Sequence, residues 1–418
     1  MRAIVQILAE LWNGARAVDR IDSPRPSGDI IIPGTLPTLY QILRIDPKAH
    51  LKDVRRAYRK LAREYHPDVS QNPEAHEIMA RINEAFEVLS DPVRRMEYDD
   101  SIGRTSVAEP RTETEVVKDA VRTTILHRHR VHRTPVYSAA YTPGKGRLVT
   151  SSFDNEVVWW TEDGAGPERR LRLEGGAVGA IQAVAEDVLV AAGGSEQRLA
   201  CWTVRDGVAR VWRQTPKAWV CTAVPSPNGE SVAVGSVDNI VRVLTADRGK
   251  VTFTGSSHRE SVTAVAWSED SSELASGSAD ATVKIWDART GKQRLTIERV
   301  RSTVTSIAFS PDGRWLAAAA VDLSVRVFDL RDGALRQTFF GHRKLVESLA
   351  FHPRGWLLAS AARDGTLGLW NVEQGVGHGL LHASHQALSC VAFSPRGDQL
   401  AAGGLDKVLR VWSLELPC

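Results

Sequence analysis

Cysteine is scarce in this chain, and its spacing excludes two kinds of small-domain architecture. None of the four cysteines belongs to a C-x-x-C pair, so the usual spacing of a structural zinc site is absent. Four thiols in 418 residues do not make a disulfide framework. We therefore expect a reducing, cytoplasmic location with no bound metal and no cofactor. The four are Cys201, Cys221, Cys390 and Cys418.

Long apolar runs are also missing. The N-terminal stretch is interrupted by Gln6 and Glu10, and no run approaches the length of about 18 apolar residues that a transmembrane helix needs. The sequence therefore predicts no membrane span and no signal peptide. Ile4, Leu8 and Leu11 recur at helical spacing, which predicts a short amphipathic helix that docks on the rest of the chain or binds a membrane surface or a partner.

The chain lacks a strong charge of either sign, and it lacks common catalytic motifs. Its formal net charge of +3 is small for 418 residues, so nothing global indicates a nucleic-acid partner or a membrane. No phosphate-binding glycine loop, H-E-x-x-H motif or EF-hand loop is present. With 43% apolar and 25% charged residues, the composition is globular, and we interpret the chain as a binding protein and not an enzyme.

A repeat of 42 residues dominates the chain from about residue 119 onward. One series of positions at this spacing is large and apolar: Trp160, Trp202, Leu244, Trp286, Phe328, Trp370 and Trp412. A second series is acidic: Asp154, Glu196, Asp238, Asp280, Asp322, Asp364 and Asp406. Each unit contains strand-like alternations separated by turn residues. This period is typical of propeller blades with four short strands, so residues 119–418 are predicted to form an all-β propeller of seven blades.

The units resemble WD40 repeats. Trp286-Asp287 is the dipeptide that gives the family its name, and Gly341-His342 matches the opening Gly-His of the repeat. Only six residues follow Trp412, too few for an outer fourth strand of the last blade. Residues of about 119–128 are therefore predicted to supply that strand and leave no open sheet edge.

Three units carry a fuller set of polar residues, in which each His precedes its Asp by 22 residues. A hydrolase would need one Ser-His-Asp set, whereas recurrence in three units indicates architecture. The WD40 resemblance implies a buried chain in which Asp holds His, His meets a hydroxyl, and the hydroxyl meets the Trp indole. Units with Ala192, Val234, Ala318 or Ala402 at the hydroxyl position are predicted to rely on apolar packing alone. The three sets are His132, Thr150, Asp154, Trp160; His258, Ser276, Asp280, Trp286; and His342, Ser360, Asp364, Trp370.

The tract from His127 to His132 contains three histidines. Such a tract can bind metal. Its position instead favours strand and loop residues where the two ends of the propeller meet, so we predict no metal site here.

Residues 37–101 carry helical periodicity. Two apolar faces at helical spacing predict an antiparallel helical hairpin, covered at its base by a short leading helix. The faces are Val54, Tyr58, Leu61, Tyr65 and Ile78, Ile82, Phe86, Leu89.

The tripeptide His66-Pro67-Asp68 lies between the two predicted helices. Together with LYQIL, AYRKLAREY and INEAFEVLSDPVRRMEYD around it, it gives the segment a close resemblance to a J-domain of the DnaJ (Hsp40) family. That resemblance implies that the tripeptide and the basic face of the preceding helix bind a DnaK-type Hsp70. The residues implied are His66, Pro67, Asp68, Arg55, Arg56, Arg59, Lys60 and Arg63.

We thus expect an N-terminal segment at 1–36, a J-domain at 37–101, a linker at 102–118 and a propeller at 119–418. No Gly/Phe-rich stretch and no C-x-x-C-x-G-x-G repeat follows the J-domain, so the general client-binding parts of larger J-proteins are absent. The expected function is that of an Hsp70 co-chaperone whose propeller binds a client or an assembly. The alternatives are a WD40 scaffold with a silent or binding-only J-domain, and a propeller enzyme.

Overall fold

A computed structural model of the chain contains two separate units, a small helical unit and a large β unit. Among the residues that the structure describes, no helix is both long and apolar enough to cross a membrane. The amphipathic helix and the linker predicted above lie outside the described residues. These are 38–47, 49, 51–65, 75–90, 95, 98, 121–174, 178–195 and 198–416.

The helical unit contains α1 (Leu39–Ile42), α2 (Leu51–Glu64) and α3 (Ala75–Ser90). Thr38 caps α1, because its hydroxyl accepts the backbone N–H of Gln41 and the Gln41 side chain accepts the backbone N–H of Thr38. The apolar stripes of α2 and α3 face each other in a hairpin, and α1 packs against them. The fully buried residues of this core are Tyr40, Leu43, Val54, Leu61, Ile82, Ala85 and Leu89.

The β unit consists of seven four-stranded antiparallel sheets. The innermost strand of each sheet contacts the innermost strands of the two neighbouring sheets, which closes the ring. The inner strands of blades 1 to 7 are β2 (Val136–Tyr141), β6 (Ala180–Ala185), β10 (Val220–Pro225), β14 (Val262–Trp267), β18 (Val304–Phe309), β22 (Val346–Phe351) and β26 (Leu388–Phe393).

The two middle strands of each blade carry most of the buried residues. The second strands are β3 (Leu148–Ser152), β7 (Val188–Ser195), β11 (Ser231–Ser236), β15 (Glu273–Ser278), β19 (Trp315–Ala320), β23 (Leu357–Ala362) and β27 (Gln399–Gly404). The third strands are β4 (Glu156–Trp160), β8 (Arg198–Arg205), β12 (Val241–Thr245), β16 (Val283–Asp287), β20 (Val325–Asp329), β24 (Thr366–Asn371) and β28 (Leu409–Glu415).

The outer strands of blades 1 to 6 follow directly in sequence, whereas that of blade 7 comes from the segment just before blade 1. It is β1, which pairs with β28 so that Arg122 lies opposite Glu415 and His129 opposite Leu409. This pairing joins the start of the propeller to its end. The outer strands are β5 (Pro167–Arg172), β9 (Val208–Gln214), β13 (Val251–Gly255), β17 (Gln293–Ile297), β21 (Leu335–Phe339), β25 (Val376–His382) and β1 (Arg122–His129).

The propeller core lies between adjacent blades. Val283 and Ile285 of blade 4, for example, pack in one cluster with Ile307, Leu316 and Phe328 of blade 5. Because both faces of the middle strands are covered, these strands read as continuous apolar runs. The predicted fold class, a small all-α unit followed by an all-β propeller of seven blades, is confirmed.

Candidate functional site

Tyr58 joins the two helices of the hairpin through an aromatic contact and a hydrogen bond. Tyr58 of α2 stacks on Phe86 of α3 with ring centroids 4.1 Å apart. The Tyr58 hydroxyl donates to Asn83 Oδ1 at 3.0 Å. Tyr58 therefore fixes the register of the two helices as well as filling the space between them.

Arg95 and Tyr98, which follow α3 in the sequence, form hydrogen bonds with residues at the start of the helical unit. The Arg95 guanidinium donates to the Tyr40 hydroxyl and to the carbonyls of Pro47 and Ala49, each at 2.9 Å. The Leu39 N–H donates to the Tyr98 hydroxyl at 2.8 Å. Sequence reasoning did not find these two structural residues, because the Arg94-Arg95 pair in an acid-rich stretch carries no signal of where its partners lie.

The predicted Hsp70-binding residues are described only in part. Arg56 and Lys60 are exposed on α2. Since α2 is helical over its whole length, residues four apart share one face. The side chains of Arg55, Arg59 and Arg63 lie outside the described residues, as do His66, Pro67 and Asp68.

The structure brings together the three predicted polar sets of the propeller, each within one blade. In blade 4, His258 Nδ1 lies 3.0 Å from Asp280 Oδ2 and its Nε2 lies 2.8 Å from Ser276 Oγ. The Trp286 indole donates to the same Ser276 hydroxyl at 2.8 Å. A histidine and an indole thus converge on one buried hydroxyl, so the polar side-chain atoms of this network in blade 4 pair with one another.

Blade 1 repeats this arrangement and blade 6 modifies it. In blade 1, His132 lies 2.9 Å from the Thr150 hydroxyl, which accepts the Trp160 indole at 3.0 Å, and 3.3 Å from Asp154. In blade 6, His342 lies 2.6 Å from the Ser360 hydroxyl, which accepts the Trp370 indole at 2.8 Å. There the other nitrogen of His342 contacts Thr366 at 2.9 Å and stands 3.5 Å from Asp364.

Burial and hydrogen bonding set the charges in these networks. Burial lowers the pKa of His132, and Asp154 offsets that effect only in part. Burial raises the pKa of Asp280, but hydrogen bonds from His258, from Thr282 and from a backbone N–H outweigh it and hold the pKa well below the usual range. Asp364 is held low in the same way. These aspartates stay ionised at neutral pH, which suits acceptors in a structural network.

Comparison with known protein families agrees with both units. The family model for the DnaJ domain matches residues 38–99. The family model for the WD domain, G-beta repeat, matches residues 123–161, 249–287, 291–329, 333–371 and 378–413. The chain joins a J-domain to a WD40 β-propeller. The repeat matches leave out blades 2 and 3, although both have the same four strands as the others.

The curated relatives resemble the J-domain alone. Over 60 residues the chain is 50% identical to the chaperone protein DnaJ of Dictyoglomus thermophilum, which covers 14% of this chain and 15% of that protein. It is 52% identical over 60 residues to chaperone protein DnaJ 2 of Thermus thermophilus, covering 14% and 21%. It is 41% identical over 86 residues to chaperone protein DnaJ 1 of Aquifex aeolicus, covering 21% and 24%. The chain thus spans less than a quarter of the length of these relatives.

Blades 3, 5 and 7 of the WD40 propeller do not rely on apolar packing alone, so the prediction was wrong for them. For blade 2 it stays a prediction, because Glu196 lies outside the described residues. In blades 3, 5 and 7 the aspartate is ion-paired with an arginine four residues later in the sequence. The three arginines are spaced by 84 residues, which is twice the length of the repeat, so their recurrence is visible in the sequence. Only the contacts show that each arginine takes the place of histidine as the partner of the aspartate. The Nη2–Oδ2 distances are 2.6 Å for Arg242–Asp238, 2.6 Å for Arg326–Asp322 and 2.5 Å for Arg410–Asp406.

The histidine tract is divided between the seam strand and a polar network. His127 and His129 stack at 5.7 Å, and His129 Nε2 lies 3.0 Å from the Gly164 carbonyl, while His132 belongs to blade 1. No group of three or more His, Cys, Asp or Glu that could hold a metal occurs in the described part of the chain.

The described cysteines are free thiols. Burial raises the pKa of Cys201, Cys221 and Cys390 to about 12, so they are protonated at neutral pH and poor nucleophiles.

Proposed function

We propose that this protein is an Hsp70 co-chaperone, in which the J-domain stimulates ATP hydrolysis by a DnaK-type Hsp70 while the propeller binds a client protein or assembly. The observation that carries the proposal is the tripeptide His66-Pro67-Asp68 in a segment that matches the DnaJ domain from residue 38 to residue 99. The protein has no catalytic activity of its own in this proposal.

The charge layout of the J-domain supports an encounter with an acidic surface. Residues 52–63 contain six basic residues and one acid, a balance of +5, whereas residues 64–100 contain ten acids and three bases, a balance of −7. The exposed Arg56 and Lys60 belong to the basic stretch. Opposite charges on the two partners speed association, so the basic helix would steer Hsp70 toward the neighbouring tripeptide.

The tripeptide itself would set specificity. Pro67 fixes its own φ and pushes His66 toward an extended backbone. In this proposal a stiff connection would carry the two polar side chains, so little conformational entropy would be lost when Hsp70 contacts them. The J-domain would bias ATP-bound Hsp70 toward hydrolysis, and Hsp70 would close on whatever the propeller has brought near.

The propeller would act as the targeting unit. It is separate from the J-domain unit, and its polar networks are buried structural sets. A rigid ring of blades offers loops on two faces for a protein partner. We also propose a cytoplasmic location, which the free thiols of Cys201, Cys221 and Cys390 support.

The decisive test is a single-turnover ATPase assay of DnaK-type Hsp70 with the full-length protein and with His66→Gln. Stimulation by His66→Gln is expected to fall by at least about tenfold, because the imidazole is removed from the surface that Hsp70 reads. The matched control is His76→Gln, which makes the same chemical change within the J-domain at a residue with no assigned role. Circular dichroism of both variants checks that the helices persist.

The outcomes separate the candidate functions. Wild-type stimulation with loss in His66→Gln supports the co-chaperone. Full stimulation by His66→Gln contradicts the assignment. A wild-type protein that binds Hsp70 without stimulating hydrolysis would instead be a scaffold with a binding-only J-domain.

A further inference from the structure

A series of basic residues recurs at one position of the WD40 repeat. Counting in steps of 42 residues from Arg133 reaches a basic or imidazole side chain in every blade except blade 2, where the position is Gly175 and lies outside the described residues. All of these side chains are exposed. We call them the basic ring: Arg133, Lys217, Arg259, Arg301, Arg343 and His385.

The fold places the whole basic ring on one face of the propeller. Each member lies three residues before the first residue of an inner strand, as Arg259 does before Val262 and Arg343 before Val346. The inner strands contact each other around the ring and enter it from equivalent loops. The six residues therefore lie on the same face of the propeller, one in each blade except blade 2.

The loops that carry the basic ring are held in fixed positions. In blades 3 to 7, the residue before the aspartate of each blade donates its N–H to the carbonyl two residues after the ring position, at 2.8–3.0 Å. In blades 1, 4 and 6 the aspartate also accepts the backbone N–H of the ring residue. These distances are 2.8 Å for Arg133–Asp154, 2.8 Å for Arg259–Asp280 and 2.7 Å for Arg343–Asp364. The buried networks thus serve as supports for the exposed cations.

The loops that carry the basic ring have more basic than acidic residues. The six loops 130–135, 215–219, 256–261, 298–303, 340–345 and 383–387 contain eight Lys and Arg residues against two Glu residues. No ion pair joins the side chain of Arg133, Arg259, Arg301 or Arg343 to a carboxylate among the residues described. Of the six aspartates in the turns of this face, three are paired with arginines within their own blades. The other three accept the backbone N–H of a ring residue, and basic residues remain in excess over the face.

We propose that the basic ring is the surface on which the propeller binds its partner, and that this partner presents an acidic protein segment. The inference rests on the proposed function in assigning a protein partner to the propeller. An aromatic pair adds an apolar contact at this face, since the exposed Phe153 stacks on Tyr137 at 3.9 Å in the blade that carries Arg133. Acidic side chains would meet the cations, and an apolar side chain would meet Phe153.

The arrangement favours a protein segment over a nucleic acid. The Arg and Lys residues of the basic ring stand one to a blade in blades 1, 3, 4, 5 and 6, whereas a nucleic-acid groove usually carries a continuous basic stripe. The chain as a whole carries a formal charge of only +3.

The test uses a random-peptide display library selected on the immobilised full-length protein, followed by fluorescence anisotropy with the labelled peptides that emerge. The ring variant is Arg259→Glu with Arg301→Glu and Arg343→Glu. The control variant makes the same change in charge at exposed arginines of outer strands, namely Arg128→Glu with Arg172→Glu and Arg210→Glu. Peptides rich in Asp and Glu are expected to emerge, to lose at least about tenfold in affinity for the ring variant and to keep their affinity for the control variant.

Each outcome decides for or against the proposal. Selected peptides without acidic enrichment, an absence of binders, or equal losses in the two variants would overturn it. A single-stranded oligonucleotide that binds more tightly than the peptides and depends on the ring would also overturn it in favour of nucleic acid. The ring variant should stimulate Hsp70 like wild type and His66→Gln should bind the peptides like wild type, so failure of the ring is distinguishable from failure of the J-domain.

Discussion

Blades 1, 4 and 6 hold the aspartate after their second strand with a histidine, whereas blades 3, 5 and 7 hold it with an arginine. In blade 4, His258 lies between Asp280 and the buried Ser276, so the aspartate is linked to the Trp286 indole in the core. In blade 5, Arg326 reaches Asp322 directly and also donates to Ser324 Oγ, so its contacts stay within four residues of the sequence. In the first group of blades, the histidine network connects the turn at the surface to the core. In the second group, the aspartate and the arginine form a local ion pair.

Both groups share one contact, which explains why the acid persists where its partner changes. In every blade from 3 to 7, and in blade 1, the Oδ1 of the aspartate accepts the backbone N–H two residues later, at 3.0–3.3 Å. This bond shapes the turn into the third strand. The turn needs the carboxylate in all these blades, and either a histidine or an arginine can satisfy its second oxygen.

Removing the histidine of blade 4 should lower the free energy of unfolding more than any other change proposed here. In His258→Ala, Asp280 and Ser276 both lose a partner in a site where the histidine side chain is 0% exposed. A buried polar group left unpaired is expensive, so we expect the free energy of unfolding to fall by about 2–4 kcal/mol. Urea unfolding followed by tryptophan fluorescence measures the change, with an unaltered m-value as the check on the transition.

The control for that variant is His385→Ala, which removes an exposed imidazole from the same kind of loop. It should change the free energy of unfolding by less than about 0.5 kcal/mol. If the two variants lose equal stability, the network of blade 4 contributes no more than a surface side chain, and the contrast between the blade groups disappears.

Removing the arginine of blade 5 should lower the free energy of unfolding by a smaller amount. In Arg326→Ala the partner left behind is Asp322, whose side chain is 26% exposed and remains open to water. We expect a loss of about 1–2 kcal/mol, part of it from packing of the arginine stem. Arg326→Met keeps most of that packing and should recover part of the loss in the same urea titration. A loss in Arg326→Ala as large as that of His258→Ala would show that the two groups of blades are equivalent.

Most of the propeller was predictable because its signals are periodic. The 42-residue spacing of large apolar and acidic residues predicts the number of blades, and the sheet order has β1 as the outer strand of the last blade, where a strand from residues of about 119–128 was predicted. The histidine networks were predictable because three complete sets recur. A recurring residue at a fixed offset identifies architecture even without any contact information.

The partners of arginine were not predictable in the same way. Arg242, Arg326 and Arg410 recur at alternate blades, but an arginine on a strand can equally lie in solvent. Arg95 is still harder, because its three acceptors are 46 to 55 residues away in the sequence. Long, flexible side chains choose partners through tertiary structure, so their roles follow from contacts and not from spacing.

The smallest expected effect is a difference in how the stability of the two groups of blades depends on pH, because histidine titrates near neutral pH and arginine does not. The His132 side chain is 1% exposed, and its folded-state pKa lies below the ordinary 6.5. As the pH falls from 7, the unfolded chain therefore takes up this proton before the folded chain does. The stability that comes from keeping His132 neutral in the folded state is fully present above about pH 6.5. It is lost as the pH falls below that value.

His132→Gln should accordingly flatten the decline in unfolding free energy between about pH 7 and 5 by less than about 1 kcal/mol. Arg410→Gln should lower stability equally across this range and leave the slope unchanged, because arginine keeps its charge throughout. Urea titrations at several pH values measure both slopes. An unaltered slope in His132→Gln would mean that blade 1 tolerates a charged imidazole, and that its histidine network is as insensitive to pH as the arginine pairs.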